Sequence, residues 1–412
     1  MKRSPGLKLA LLSILTVFAL SVGNLTTATT WQANLTVGNA TIKSGAGWGG
    51  HKFTQISTGS AYTVAIDTKG HAWAWGGDNR SGRLGNGTPG KDNKIPTEVV
   101  GKNKFEKIAA GAYHVVAIDP NGDIWAWGSN YYGQFGNGTK KDSPIPVKTT
   151  SGHKFVQIAA GILHTVALDD KGNIWTWGSN YRSQLGNGET IDEPIPQKIT
   201  DGHKFEQISA KEDYTVSLDS TGRAWAWGSY IPGLENYSTP TPIAEGHQFV
   251  QISAGTQHTM AVGIDGHAWG WGGTGSGELG VGAPGGSRIP VETAGGHKFI
   301  RISAGDYFTV AIDDKGKAWA WGSNSYGKLG DGTTTDSLPP PSRLRADTSS
   351  PKSRQAAGTR SQSTQKATSG RGAPTVTGSS GTTPPPTASP PSKSPNPSHR
   401  DRLGLLQQKA EP

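Results

Sequence analysis

The chain has 412 residues, no cysteine and a formal net charge of +9. The absence of cysteine excludes disulfides, a thiol nucleophile and a thiolate metal site. The positive charge is concentrated at the two ends: Lys2, Arg3 and Lys8 lie near the N-terminus, and from Arg343 onward eleven Lys or Arg residues stand against three Asp or Glu residues. The middle of the chain is therefore close to neutral, which argues against a nucleic-acid-binding face there.

The N-terminus has the pattern of an export signal. Within residues 1–23, cationic residues precede an apolar run from Leu9 to about Leu20, and the small residues Ser21 and Gly23 follow. The apolar run is short for a transmembrane span. We predict cleavage near Gly23 and a mature protein that is secreted or associated with the cell envelope, with no stable membrane span after cleavage. An uncleaved membrane anchor is the alternative.

Residues 50–340 repeat a Trp-x-Trp-Gly pattern six times. The pairs are Trp73/Trp75, Trp125/Trp127, Trp175/Trp177, Trp225/Trp227, Trp269/Trp271 and Trp319/Trp321. The first tryptophans of successive pairs lie 52, 50, 50, 44 and 50 residues apart. A period of this length is typical of repeat architectures, in which neighbouring units pack on one another. We predict that the second tryptophans are structural core residues: Trp75, Trp127, Trp177, Trp227, Trp271 and Trp321.

The third copy shows the pattern of one repeat. An alternating strand ends at Gly161, a second strand runs from His164 to about Asp169, and Gly172 lies in the tight turn that follows. The third strand is Ile174 to Gly178, and a weaker fourth strand lies near Ile195 to Ile199. Four short antiparallel strands per repeat and no helical period predict an all-β fold, with each repeat forming one blade of a β-propeller.

Three stretches of the repeats resemble a known family. The segments Ile158–Thr165 and Ile252–Thr259 are similar to the signature of the regulator of chromosome condensation repeat. The pattern from Trp127 to Thr139 is also similar, with Phe135 in place of the usual Leu. The resemblance implies a propeller, usually of seven blades.

The chain departs from that family pattern in its number of repeats. There are six full copies, and the fourth lacks the Leu-Gly-Asn-Gly segment between Trp227 and Phe249. Residues 31–49 resemble the last strand of a preceding repeat, and we expect this degenerate strand to close the ring against the end of the chain. We predict six blades, with seven blades including a defective one as the alternative.

The C-terminal residues 341–412 differ in composition from the repeats. The segment has no Phe, Trp, Tyr or Ile and is rich in Pro, Ser, Thr, Arg and Lys. Such a segment cannot bury enough apolar surface to offset its ordering entropy, so we predict a disordered tail. Its function is open: it is a spacer, a weak ligand for an anionic envelope, or the product of a gene truncation or frame change.

The repeated polar residues indicate structural roles rather than catalysis. One repeat position carries Tyr62, His114, His164, Tyr214, His258 and Phe308. Because Tyr or Phe replaces His in three repeats, the position favours half-buried packing over metal binding. A recurrent Asp follows the second strand, where it can bond its own backbone two residues on. No nucleophile–base pair, paired carboxylates or phosphate-binding loop stands out, so we predict no enzyme activity, no cofactor and no metal site.

Eight of the ten tyrosines fall in two classes of loop. These loops join strands one to two and strands three to four, and in a meander both classes lie at the same end. The eight are Tyr113, Tyr131, Tyr132, Tyr181, Tyr230, Tyr237, Tyr307 and Tyr326. Tyrosine is enriched among the energetic anchors of interfaces, so we predict a partner-binding face that also includes Arg182. The alternative is that tyrosine packs over the blade edges without binding anything.

Three functions follow from this interpretation. The favoured one is an exported, non-catalytic propeller that binds an unidentified protein partner through the tyrosine-rich face, similar in repeat type to secreted propellers that inhibit β-lactamases. The first alternative is cell-wall or glycan binding, because tyrosine rings stack on sugars. The second is the guanine-nucleotide exchange and chromatin role of the named family. The export signal and the absence of a long insertion in any repeat argue against that role, and we expect no nucleic-acid partner.

Overall fold

The structure is a computed structural model that describes residues 40–41, 52–199, 202–229, 236–273, 275–331 and 333–343. These residues form six antiparallel sheets, each built from strands that are consecutive in the chain. The prediction of an all-β propeller with six blades is confirmed. The predicted signal peptide, 1–23, and the predicted tail after residue 343 lie outside the described residues.

The strand bounds show the same order in every blade. Blade 1 contains β1 (Ala40–Thr41), β2 (Lys52–Thr58), β3 (Tyr62–Asp67), β4 (Ala72–Gly76) and β5 (Asn93–Glu98). Blade 2 contains β6 (Lys107–Ala110), β7 (His114–Ile118), β8 (Ile124–Gly128) and β9 (Ser143–Lys148). Blade 3 contains β10 (Phe155–Ala160), β11 (His164–Asp169), β12 (Ile174–Gly178) and β13 (Glu193–Lys198).

The second half of the chain repeats this order. Blade 4 contains β14 (Phe205–Lys211), β15 (Tyr214–Asp219), β16 (Ala224–Gly228) and β17 (Tyr237–Ile243). Blade 5 contains β18 (Phe249–Ala254), β19 (His258–Gly263), β20 (Ala268–Gly272) and β21 (Ser287–Glu292). Blade 6 contains β22 (Phe299–Ala304), β23 (Phe308–Asp313), β24 (Ala318–Gly322) and β25 (Ser337–Arg343), with one 3-10 turn at Ser325–Gly327.

The first strand of each blade packs against its neighbours, and the fourth strand lies at the periphery. First strands of consecutive blades contact one another from β2 and β6 through to β18 and β22. Fourth strands such as β9 are only partly buried and carry proline, for example Pro144 and Pro146. Proline suits an edge strand because it offers no backbone N–H for further pairing. The buried side of each sheet holds the second tryptophan of each pair, at most 2% exposed in all six blades.

An aspartate at the end of the second strand fixes the hairpin corner in five blades. In blade 3, Asp169 Oδ1 accepts hydrogen bonds from the backbone N–H groups of Lys171 (2.9 Å) and Asn173 (2.8 Å). Its Oδ2 accepts from Nε1 of Trp175 at 3.0 Å. Burial alone would raise the pKa of Asp169, but the bonds from Asn173, Trp175 and Lys171 outweigh it and hold the pKa below its usual value. The corner thus ties the turn to the first tryptophan of the next strand.

Blade 5 departs from this corner because Gly263 takes the place of the aspartate. Asp265 Oδ1 accepts instead from the backbone N–H of His267 at 3.0 Å. The five complete corners are at Asp67, Asp119, Asp169, Asp219 and Asp313.

The Tyr/His position joins each of blades 1 to 5 to the blade that follows it. In blade 1 the Tyr62 hydroxyl lies 2.9 Å from Gly111 O and 2.8 Å from His114 O of blade 2. Nε2 of His114 in turn lies 3.0 Å from Thr165 Oγ1 of blade 3. Burial lowers the pKa of the three histidines at this position to about 3, so they stay neutral. These three are His114, His164 and His258.

A glutamine on the first strand makes a second bond between blades. Gln55 Oε1 accepts from the backbone N–H of Ile108 at 3.0 Å, and its Nε2 donates to Ile108 O at 3.2 Å. Gln251 makes the same pair of bonds to Ile302, at 2.9 and 3.1 Å. Because the bonds go to backbone atoms, they fix how the strands of neighbouring blades are aligned along the strand direction.

The joint between blade 6 and blade 1 is different. In blade 6, Arg301 replaces the glutamine and Phe308 replaces the Tyr or His. Among the strands that the structure describes, β22 and β23 make no contact with β2 comparable to those between the other consecutive blades. Phe308 offers no polar group, and Arg301 cannot both donate and accept as the glutamine amide does, because a guanidinium only donates.

Both ends of the propeller differ in detail from the sequence-based expectation. Of residues 31–49 the structure describes only Ala40–Thr41, which pairs with β2 of blade 1 (Ala40 opposite Phe53) and not with blade 6. Blade 6 has a fourth strand of its own, because β25 pairs with β24. Since β25 continues to Arg343, the boundary predicted at residue 340 falls three residues short.

We expect the stability of the propeller to fall as the pH drops below about 6.5. The unfolded chain protonates its histidines near that value, whereas the folded chain resists protonation down to about 3. At about pH 5 each buried histidine should therefore cost about 2 kcal/mol of unfolding free energy relative to pH 7. The variant His164→Tyr, which uses the residue found in blades 1 and 4, should flatten the dependence measured by urea unfolding. His153→Tyr, at an exposed histidine, is the control, and equal slopes for the two variants would contradict the account.

We expect Asp169→Asn to destabilise the protein by about 1–3 kcal/mol, because the hairpin corner loses the carboxylate that accepts from Trp175. The matched control is Asp170→Asn, which makes the same chemical change one residue along at an exposed position. Urea unfolding near pH 7 measures both variants. If the two variants lose the same free energy, the corner is not the source of the effect.

Candidate functional site

The loop after each third strand reaches the first turn of the next blade. In the β4–β5 loop, Arg83 Nη1 donates to Ala112 O, in the β6–β7 turn, at 2.9 Å. In the β12–β13 loop, Gln184 Nε2 donates to Asp213 Oδ1, in the β14–β15 turn, at 3.2 Å. These contacts place the two loop classes at one end of the propeller. We call this end the tyrosine face, defined by Tyr113, Tyr131, Tyr132, Tyr181, Arg182, Tyr307 and Tyr326.

The tyrosines of this face differ in exposure. Tyr131 is 58% exposed, Tyr181 46% and Tyr326 87%, whereas Tyr113 and Tyr307 are intermediate. Tyr307 and Tyr326 both have positive φ, at 63° and 67°. Because non-glycine residues adopt this conformation at some energetic cost, the surrounding turns hold the backbone of these two residues in a strained conformation.

Three of the tyrosines that the structure describes lie away from this surface. Tyr237 begins β17 and packs against the apolar clusters of blades 3 to 5, so it is not a loop residue. Tyr230 lies outside the described residues. Tyr62 and Tyr214 are buried and bond to the backbone of the following blade.

A polar cluster around Asp213 organises the join between blades 3 and 4. Asp213 is buried, and its Oδ2 accepts a 2.8 Å hydrogen bond from the Tyr181 hydroxyl. Arg182 Nε lies 3.4 Å from the same oxygen, and its guanidinium lies 5.3 Å from the Tyr181 ring centroid. Burial and the Asp213 carboxylate raise the pKa of Tyr181 to about 12, so the phenol remains a donor. The cluster fixes the Tyr181 ring while leaving nearly half of it exposed.

Blades 2 and 3 carry an aromatic and apolar surface beside this cluster. Tyr131 and Tyr132 meet edge to face, with ring centroids 4.9 Å apart. The turn between β10 and β11 of blade 3 contains Ile162 and Leu163, both partly exposed. The Arg83 guanidinium lies 5.0 Å from the Tyr113 ring centroid. Rings of this kind offer large, stiff contact area with a polar tip.

Blades 4 to 6 give the other half of the face a charged character. Lys211 Nζ lies 2.9 Å from Asp306 Oδ1, which links blade 4 to blade 6, and Thr256 Oγ1 donates to the same carboxylate at 2.7 Å. Burial raises the pKa of Glu212 to about 7, with Lys211 opposing the shift and Asp306 and Asp213 adding to it. The sequence places Glu212, Asp213 and Asp306 beside the tyrosine loops, but it does not show that Lys211 and Asp306 meet. A signal was present, because Lys211 replaces the glycine that opens the equivalent turn in the other five blades.

The described residues bring Tyr131, Tyr132, Tyr181 and Tyr326 to one end of the propeller. They contain no group of three or more His, Asp or Glu side chains arranged to hold a metal ion. Within the same residues, no helix has the length and apolar character needed to cross a membrane. The chemistry that the tyrosine face offers is aromatic stacking, hydrogen bonding through phenols and ion pairing at blades 4 to 6.

Comparison with proteins of known sequence finds the same repeats along the chain. The family model described as regulator of chromosome condensation (RCC1) repeat matches residues 69–118, 121–168, 171–218, 265–312 and 315–363. A second model of that description matches residues 105–134, 155–184 and 299–328.

The curated relatives share only part of their length with this chain. The human E3 ubiquitin-protein ligase HERC2 is 36% identical over 93 residues, which are 22% of this chain and 2% of the ligase. The ultraviolet-B receptor UVR8 of Arabidopsis thaliana is 31% identical over 93 residues, which are 22% of this chain and 21% of the receptor. The chain therefore matches a small fraction of each of these proteins.

Two solved structures show the same fold. Human WBSCR16 superposes with a TM-score of 0.63 at 20% identity, covering 72% of this chain and 82% of that one. Yeast RCC1 (Prp20), bound to Kap60, superposes with a TM-score of 0.62 at 23% identity, covering 72% and 75%. Because the repeat model matches more than half of the 412 residues, this protein belongs to the regulator of chromosome condensation repeat family.

Proposed function

We propose that this chain is an exported, non-catalytic binding module whose protein partner docks on the tyrosine face. The observation that carries the proposal is the aromatic surface of blades 2 and 3, where Tyr131 and Tyr181 are about half exposed on a backbone held by bonds between blades. Variable loops on a rigid scaffold are where binding residues concentrate in proteins. Export is proposed from the sequence of residues 1–23.

Pre-ordering favours a binding role for these rings over simple packing. The Tyr181 hydroxyl is bonded to Asp213 and its ring is flanked by Arg182, so little side-chain freedom remains to be lost on association. Tyrosine and arginine are also the residues that most often dominate interface energies. Contacts of a partner with Tyr131, Tyr132 and Tyr181 would therefore contribute a large binding free energy for the surface area that they bury.

The relatives support a protein as the class of partner, without identifying that protein. The yeast structure that superposes on this chain with a TM-score of 0.63 is described by its binding to Gsp1p and histones. At 23% identity the likeness concerns the fold, and it names no partner for this chain. The exchange role of the named family would need a GTPase partner.

We expect the double variant Tyr131→Ala/Tyr181→Ala to weaken partner binding by about a hundredfold or more, because two ring anchors are lost. The full chain is incubated with the exported protein fraction of its own cells, the captured partner is identified, and its affinity for wild type and variant is measured by calorimetry. Lys171→Ala, in an exposed turn at the opposite end of blade 3, is the matched control and should leave the affinity unchanged.

Parallel experiments separate the alternatives. Purified cell wall tests glycan binding, and nucleotide release from a small GTPase tests the exchange role. Cell-wall binding that the double variant abolishes would replace the protein partner with a glycan. Partner affinity equal in wild type and double variant would show that the tyrosine face is not the docking surface.

A further inference from the structure

A second concave surface lies at the end opposite the tyrosine face. Blades 4, 5 and 6 enclose a concavity of about 250 Å³, whose wall includes the β15–β16 turn at Ser220, Thr221 and Gly222. Turns between second and third strands lie at the opposite end of a blade from the loops that carry the tyrosines. This surface is therefore separate from the proposed partner site.

Arg301 lines this concavity and has no charge partner among the residues that the structure describes. Four of the other blades carry glutamine at this position: Gln55, Gln157, Gln207 and Gln251. Burial lowers the pKa of Arg301, and no carboxylate of the described residues opposes that shift. A partly buried cation without a counter-ion is unfavourable unless a ligand or solvent compensates it.

Three exposed aliphatic side chains share the concavity with Arg301. Val250 is 52% exposed, Ile264 68% and Ile300 50%. At the position of Val250 and Ile300, blades 1 to 4 carry Thr54, Glu106, Val156 and Glu206. At the position of Ile264, they carry Thr68, Pro120, Asp170 and Ser220. Polar residues or proline fill most of these positions in blades 1 to 4, so the scaffold does not need an apolar patch here.

We propose that this Arg301 concavity binds a carboxylate carried on a short, branched aliphatic group. The guanidinium of Arg301 would pair with the carboxylate, for which its planar fork of donors is well suited. Val250, Ile264 and Ile300 would cover the aliphatic part. A concavity of this volume admits one or two side chains and not a folded element. The carboxylates of Glu206 and Asp219, also in its wall, would disfavour a ligand with a second acidic group.

Such a ligand has two sources, a free branched-chain acid and the C-terminus of a polypeptide that ends in an aliphatic residue. Isocaproate probes the first, and a tripeptide that ends in leucine with a free carboxylate probes the second. Isocaproamide and the C-terminal amide of the same tripeptide are neutral controls. Calorimetry on the full chain should show that at least one acid binds about tenfold or more tightly than its neutral control. Binding of the peptide acid alone would assign the site to a polypeptide terminus.

The residue assignment is tested with Arg301→Gln, which installs the residue that four other blades carry and should therefore fold. It should reduce acid binding about tenfold or more, and Ile264→Ser should reduce binding of acid and neutral probes alike. Arg288→Gln removes the same charge from an exposed outer strand and should change nothing. The proposal fails if neither acid binds at millimolar concentration, if acid and amide bind equally, or if Arg301→Gln binds as wild type does. None of these outcomes bears on the tyrosine face.

Discussion

Hydrogen bonds between consecutive blades are the constraint on which the rest of this structure depends. The Tyr/His position and the first-strand glutamine both reach polar atoms of the next blade, from Tyr62 to His114 O and from Gln55 to Ile108. Because buried polar groups are costly when unpaired, these bonds allow only one alignment of neighbouring blades along the strand direction. The same alignment fixes the positions of the loops at the ends of the strands. The rings of Tyr131 and Tyr181 consequently lie on a surface whose backbone is fixed by the scaffold.

The repeats differ least where they build the scaffold and most where they meet solvent. Each blade keeps a buried second tryptophan, and five keep the Asp–Trp corner, whereas the first turns run from Ile162 and Leu163 in blade 3 to Glu212 and Asp213 in blade 4. One end of the propeller is in this way divided between an aromatic half and a charged half. The opposite end acquires a concave patch through Arg301 and its aliphatic neighbours. The repeated strands make the scaffold rigid, and the loops and turns that differ between blades give its two ends their different polar and apolar surfaces.

The sequence predicted the scaffold well because the scaffold repeats. Alternation, glycine turns and paired tryptophans recur six times, so strand order and the shared end of the two loop classes follow from local pattern alone. Contacts between the variable loop and turn side chains of different blades do not recur and could not be predicted. Examples are the Tyr181 bond to Asp213 and the Lys211–Asp306 pair, which depend on side chains about 30 and 95 residues apart that only the ring brings together. Tyr237 was misplaced because the missing segment of the fourth repeat hid where its last strand begins.

Photo-crosslinking tests the central claim, that one end of the propeller carries the partner site, most directly. A benzophenone amino acid is placed at position 131 in one full-length sample and at position 171, in the opposite turn of blade 3, in another. Each sample is irradiated in the exported protein fraction. The account predicts a discrete cross-linked partner from position 131 and none from position 171. The same partner captured with equal yield from position 171 would contradict it.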